Sequence, residues 1–144
     1  MSLIQRIGHT AFVTSDMERS LHFYCDLLGL TKAFEIHDEV GNPWIVYLQV
    51  SDFQFVELFY GGTTPVMRES GQIGYDHMCF EVDDILATAE HLRACGIALD
   101  VQPKQGLDLN YQCWVRDPDG NRIEFMQLHP DSPHVKAQSR FRRV

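Results

Sequence analysis

Gly74-Tyr75-Asp76-His77-Met78-Cys79-Phe80-Glu81-Val82-Asp83-Asp84 is the stretch on which the reading of this 144-residue chain turns. It reads as a strand that opens on a histidine, alternates small and apolar residues, and ends in aspartates able to cap a helix. The chain has the same phrase earlier, in Ile7-Gly8-His9-Thr10-Ala11-Phe12-Val13-Thr14-Ser15-Asp16. In both copies an aspartate follows the histidine by seven positions, Asp16 after His9 and Asp84 after His77. Each copy then reaches a glutamate inside an apolar segment, 48 positions from His9 to Glu57 and 47 from His77 to Glu124. A duplicated module with one His and one Glu per copy follows. Two imidazoles and two carboxylates are a sufficient donor set for a divalent metal.

Working outward, each copy reads as β-α-β-β-β. In the first, residues 7–13 alternate as a strand, and Ser15 or Asp16 offers a helix N-cap. Met17, Leu21, Tyr24, Leu27 and Leu28 then recur at helical spacing, and Gly29 closes the helix. Strands are predicted over 31–38, 44–50 and 53–60, with turns at Gly41-Asn42-Pro43 and Ser51-Asp52. A polar connection over 61–74 links the copies. The second copy repeats the order, with a strand over 75–82, a helix over 84–95 closed by Gly96, and strands near 97–101, 109–116 and 121–128. Asp117-Pro118-Asp119-Gly120 predicts a hairpin turn between the last two. The class is α+β, one domain of two βαβββ modules: module 1 about 7–60, linker 61–74, module 2 about 75–128, and a tail over 129–144 expected to be irregular beyond Pro130.

Composition limits the function classes. A formal net charge of −8 argues against nucleic acid or an anionic membrane as partner. No apolar run approaches the roughly 20 residues a membrane-spanning helix needs, and no leader pattern opens the chain. The basic stretch carrying Lys136, Arg140, Arg142 and Arg143 reads as a solvated tail. Cys25, Cys79, Cys95 and Cys113 lie far apart in apolar segments and read as reduced, buried thiols of a cytoplasmic protein.

Strand parity explains how the four residues could meet. Alternate side chains share a face, so Glu57 lies with Phe53, Phe55 and Phe59, and Glu124 with Arg122, Met126 and Leu128. An ionised carboxylate among large apolar groups is costly unless it is paired or binds a metal. If the first and fourth strands of a copy lie side by side, each His converges on its Glu. His22, His37, His91, His129 and His134 fall outside the repeat and read as surface residues. Phe55, Phe59 and Met126 are candidates for an apolar substrate wall, and Arg122 for a contact with a substrate anion.

The opening strand phrase, the run Ser20-Leu21-His22-Phe23-Tyr24 into Leu27-Leu28-Gly29-Leu30, and Asp117-Pro118-Asp119-Gly120-Asn121-Arg122-Ile123-Glu124-Phe125 resemble the vicinal oxygen chelate superfamily. This group contains glyoxalases, bleomycin resistance proteins and extradiol dioxygenases. Over about residues 7–128 the chain looks most like glyoxalase I. The resemblance implies paired modules forming a cupped mixed sheet around one divalent ion (Ni, Zn, Co, Mn or Fe). It implies metal ligands at His9, Glu57, His77 and Glu124, in a site built within one chain or across a homodimer. Glutathione-using bacterial glyoxalases carry an arginine four residues after the first histidine, where this chain has Val13. They also carry an asparagine after the second ligand, where this chain has Gly61-Gly62. The expectation therefore stops short of glutathione itself.

The implied reaction is a metal-dependent lyase or isomerase step on a small substrate with vicinal oxygens, passing through an enediolate. By resemblance Glu124 is the first choice for the base, and Glu57 the group able to return a proton on the neighbouring carbon. Two other outcomes of the same fold compete. One is another enzyme, an extradiol dioxygenase or a thiol transferase; the other is a non-catalytic small-molecule or drug-binding protein.

Overall fold

The computed structural model describes residues 3–65, 69 and 71–140. The chain forms two compact units, Met1–Met67 and Arg68–Val144. The first contains β1 (His9–Val13), α1 (Met17–Leu21) continued by a π-helix (His22–Leu27), β2 (Thr31–His37), β3 (Pro43–Ser51) and β4 (Gln54–Phe59). The second contains β5 (Met78–Glu81), α2 (Ile85–Ala94), β6 (Val101–Gln105), β7 (Tyr111–Arg116), β8 (Arg122–Gln127) and α3 (Pro133–Arg140).

Each unit is one mixed four-stranded sheet. The strand orders are β1-β4-β3-β2 and β5-β8-β7-β6. The first and fourth strands of each unit run parallel and adjacent, and the remaining neighbours are antiparallel. The crossover between the parallel pair is long enough to carry a helix, as parallel neighbours require. In the first unit one face of the sheet carries Phe12, Val46, Leu48, Val56 and Leu58, all buried, and Met17, Phe23 and Tyr24 of the helix are buried as well. In the second unit α2 lies against β6, β7 and β8, burying Ile85, Ala89 and Leu92 on the side of Cys113, Val115, Ile123 and Phe125.

The two aspartates that follow the histidines cap the helices. Asp16 accepts from the Arg19 amide at 3.0 Å, and Asp84 from the Leu86 and Ala87 amides at 2.9 and 3.0 Å. At the far end of α2, Gly96 adopts φ 76°. Its amide donates to the Arg93 carbonyl and the Ile97 amide to the Leu92 carbonyl, a Schellman closure. That closure takes up Ile97, the first of the residues read as a strand near 97–101, and β6 starts only at Val101.

Two further corrections concern helices. The first-unit helix is wider than an α-helix over its second half, with the Leu28 amide reaching back five residues to the Phe23 carbonyl. The tail is not irregular beyond Pro130. Ser132, wholly buried, accepts from the Val135 amide at 3.2 Å, and Pro133 takes the first helical position of α3. Ser-Pro is a start signal that the polar composition of the tail obscured. The cysteines differ too: only Cys113 is buried, Cys25 and Cys95 are partly covered and Cys79 is exposed, all four as free thiols. No described helix is long and apolar enough to cross a membrane.

The Asp117-Pro118-Asp119-Gly120 turn is fixed from within. Asp117 accepts from the Asp119 and Asn121 amides at 3.0 and 2.8 Å, and Gly120 has φ 89°. This sets the β7–β8 register and, through it, the face on which Arg122 and Glu124 emerge.

Candidate functional site

In the first unit, β1 buries Phe12 on one face and leaves His9, Ala11 and Val13 on the other. Ala11 pairs with Glu57 across the parallel ladder, and Glu57 pairs with Tyr47 on its other side. His9 is therefore two positions before the residue opposite Glu57, a diagonal that long side chains can span. The second unit has the same offset: Cys79 pairs with Glu124, Glu124 with Trp114, and His77 lies two positions before Cys79. The two copies thus have one register, although their His-to-Glu separations differ by one residue.

Glu57 is 4% exposed. The His9 Nδ1 lies 3.2 Å from its Oε1. The direction of that approach is not a hydrogen bond, and Oε1 is a buried oxygen without a hydrogen-bond partner. Tyr47 faces the same carboxylate across the ladder, and its interaction with Glu57, with burial, holds the phenol above its ordinary pKa. Tyr47 also stacks on Phe34 at 4.3 Å, and Phe55 stands edge-on to it at 6.1 Å. Phe59 meets Trp44 edge-on at 5.9 Å. Phe55 and Phe59 therefore share an aromatic face with Glu57.

The second unit is more polar. His77 Nε2 lies 3.1 Å from Glu124 Oε2, and its Nδ1 lies 2.7 Å from Asp76 Oδ2. Arg122 Nη1 reaches the same Asp76 oxygen at 3.1 Å, while its guanidinium lies 4.5 Å over the Trp114 ring. His77 meets that ring edge-on at 4.5 Å. Met126 is half-buried and receives the Asn110 side-chain amide at its sulfur, 3.5 Å away.

A metal fits these donors on two observations. The buried Glu57 Oε1 has no hydrogen-bond partner. His77 presents Nε2 beside the Glu124 carboxylate, an imidazole and a carboxylate oxygen together being donors a divalent ion takes. Within either unit, among the described residues, no group of three or more His, Cys, Asp or Glu side chains forms a cage; the donors come as one pair per unit. Of the remaining histidines, His22, His37, His91 and His134 are exposed, and His129 is half-buried with its Nδ1 accepting from the Asp131 amide.

Tyr47, Trp114, Asp76 and Phe34 were not singled out from sequence. A signal existed for two of them. Tyr47 and Trp114 each precede their glutamate by ten positions, the same step of the repeat. Asp76 and Phe34 had none: Gly8 occupies the first-copy counterpart of Asp76, and Phe34 reaches the face from the edge strand.

A model of the Glyoxalase/Bleomycin resistance protein/Dioxygenase superfamily matches residues 6–125. An uncharacterized Escherichia coli K12 protein, YaeR, is 27% identical over 125 residues, covering 86% of this chain and 97% of its own. A lactoylglutathione lyase of Haemophilus influenzae is 31% identical over 127 residues, covering 85% of this chain and 92% of its own. Among solved structures, a glyoxalase family protein from Enterococcus faecalis superposes with a TM-score of 0.75 at 23% identity, over 87% of this chain and 99% of that one.

Proposed function

This chain belongs to the glyoxalase/bleomycin resistance/dioxygenase superfamily, and from that premise we propose that it is a metal-dependent lyase or isomerase of the glyoxalase I type. The donors for one divalent ion (Ni, Zn, Co, Mn or Fe) are His9, Glu57, His77 and Glu124, one imidazole and one carboxylate per module, in a site built within one chain or across a homodimer. The observation that carries the reading is the equal His–Glu register in both units: Ala11 opposite Glu57 and Cys79 opposite Glu124. Two histidines left partly exposed beside two covered glutamates, at the same offset in both units, are what a shared donor role would produce. The lactoylglutathione lyase name of a relative at 31% identity points the same way.

Bound by these donors, a divalent ion would supply Lewis acidity toward negative charge developing on the substrate's vicinal oxygens. Glu124 takes the proton from the substrate carbon. The proton is returned on the neighbouring carbon, on the side of Glu57, which receives it from Glu124 by way of the substrate oxygens. The substrate is thus isomerised with no net proton change and no redox cofactor. Phe55 and Phe59, with Phe34 and Tyr47, cover an apolar arm of the substrate and keep water from the carboxylates. Met126 adds to that wall. A guanidinium has five donors, so Arg122 can meet a substrate anion while holding Asp76. Val13 and Gly61-Gly62 stand where glutathione-using relatives place glutathione contacts, so the thiol partner is smaller or different. The reading extends to a homodimer working in the cytoplasm.

Metal analysis of purified wild type, His77→Ala and Glu124→Gln tests this first. One equivalent of metal in wild type, lost in both variants, with isomerisation of hemithioacetals formed from a small thiol, is the expected result. Oxygen uptake with catechols would replace the reading by a ring-cleaving dioxygenase. Thiol addition to an epoxide would replace it by a transferase. Wild type that stays metal-free in added metal, yet binds small ligands, would leave a non-catalytic binding protein.

A further inference from the structure

We infer that Asp76 is a positioning residue that fixes the ring of His77, and that Arg122 and Trp114 exist in part to hold Asp76. This rests on the metal-binding reading and goes beyond it, since Asp76 is not one of the four donors. The geometry points to a relay within the second unit. The shorter of the two His77 contacts, 2.7 Å, is at Nδ1 to Asp76 Oδ2. The same carboxylate oxygen receives Arg122 Nη1 at 3.1 Å. Arg122 is in turn seated over Trp114, whose indole N–H donates to Gln112. Trp114 also supplies the ring against which His77 stands edge-on. Two elements of the imidazole's freedom are thereby removed, its rotation and its choice of tautomer. With the proton on Nδ1 directed at Asp76, the Nε2 lone pair faces Glu124 Oε2, which is where a cation belongs.

The first unit has no such device. Gly8 precedes His9, so that position offers no carboxylate, and Phe55 occupies the place of Arg122. The His9 side chain is 52% exposed against 30% for His77. The duplicated site is therefore asymmetric: the second-unit pair is oriented before any metal arrives, and the first-unit pair is not.

The test uses full-length wild type, Asp76→Ala, Asp76→Asn and Arg122→Gln, stripped of metal and titrated with zinc or nickel. Asp76→Ala is expected to weaken metal binding by about 10- to 100-fold. Asp76→Asn, whose amide oxygen still accepts from Nδ1–H, recovers most of the loss, and Arg122→Gln shows a smaller drop than Asp76→Ala. Circular dichroism of all four is expected to coincide. Long-range 1H–15N spectra of the metal-free proteins read the ring directly: Nδ1 of His77 is protonated in wild type and loses that preference in Asp76→Ala. Wild-type metal affinity in Asp76→Ala, or an unprotonated Nδ1 in wild type, overturns the inference while leaving the four-ligand reading intact. If wild type takes up no metal, the four-ligand reading fails and the Nδ1 signal alone decides the role of Asp76.

Discussion

Tyr47 faces Glu57 directly across the β3–β4 ladder, and the carboxylate holds its phenol above the ordinary pKa. Trp114 faces Glu124 in the same way across β7 and β8. Each glutamate thus has an aromatic ring beside it, and that ring also meets the histidine of its unit, Tyr47 with His9 and Trp114 with His77. The chemistry differs. Tyr47 sets a phenol opposite its glutamate, whereas Trp114 directs its N–H to Gln112 and offers Arg122 a flat surface.

The Tyr47–Glu57 pair should show coupling. Tyr47→Phe takes away the hydroxyl opposite a buried carboxylate and should cost about 1–3 kcal/mol. Glu57→Leu in metal-free protein should be neutral or stabilising by up to about 2 kcal/mol, because it removes a buried charged group whose Oε1 has no partner. In the Glu57→Leu background the cost of Tyr47→Phe should largely vanish. Urea unfolding of the four proteins closes the cycle; additive effects would rule the coupling out.

Metal binding should be visible in tryptophan fluorescence. The chain has two tryptophans, Trp44 and Trp114. Trp114 stands 4.5 Å from the His77 ring, while Trp44 packs on Phe59. Trp44→Phe should keep the quenching caused by added Ni or Co, and Trp114→Phe should remove most of it. The reverse pattern would place the metal away from His77.

The repeated aspartates should prove structural. Asp84→Ala removes the acceptor for two amides of α2 and should cost about 1 kcal/mol in thermal unfolding. Asp16→Ala removes one such bond and should cost no more. Both variants should retain full metal content. Loss of metal in either, with the fold intact, would mean that these aspartates serve the site itself.

Stability should fall on the alkaline side, partly through Cys113. Burial pushes this thiol from 9.0 up to about 11, with Arg93 acting weakly the other way. A raised pKa in the folded state means that the folded protein keeps a proton the unfolded chain releases. The stability is therefore whole below pH 9 and is lost as pH rises through about 11. The loss is on the order of 2–3 kcal/mol for a shift of this size. Cys113→Val should flatten that slope between pH 9 and 11 while leaving stability at pH 7 within about 1.5 kcal/mol. An unchanged slope would assign the alkaline loss to other groups.

The sequence by itself determined the duplicated β-α-β-β-β order, the capping aspartates, the Asp117–Gly120 turn and the four candidate donors. Those are local or periodic properties: a two-residue alternation, a helical spacing, a cap side chain and a repeat written twice into the chain. Strand starts were misjudged where closure of a helix uses up residues, as Gly96 and Ile97 do ahead of β6. Only the tertiary structure decided which residues surround the donors. Pairing strands distant in sequence set Tyr47 against Glu57 and Trp114 against Glu124. It also brought Asp76 and Arg122, 46 positions apart, to a single ion pair. An ion pair or a ring contact between distant strands depends on register, and register is fixed by the hydrogen-bonded ladder and the buried face of the whole sheet. No single segment contains that information, so the candidate donors could be proposed from the chain while the groups packed around them could not.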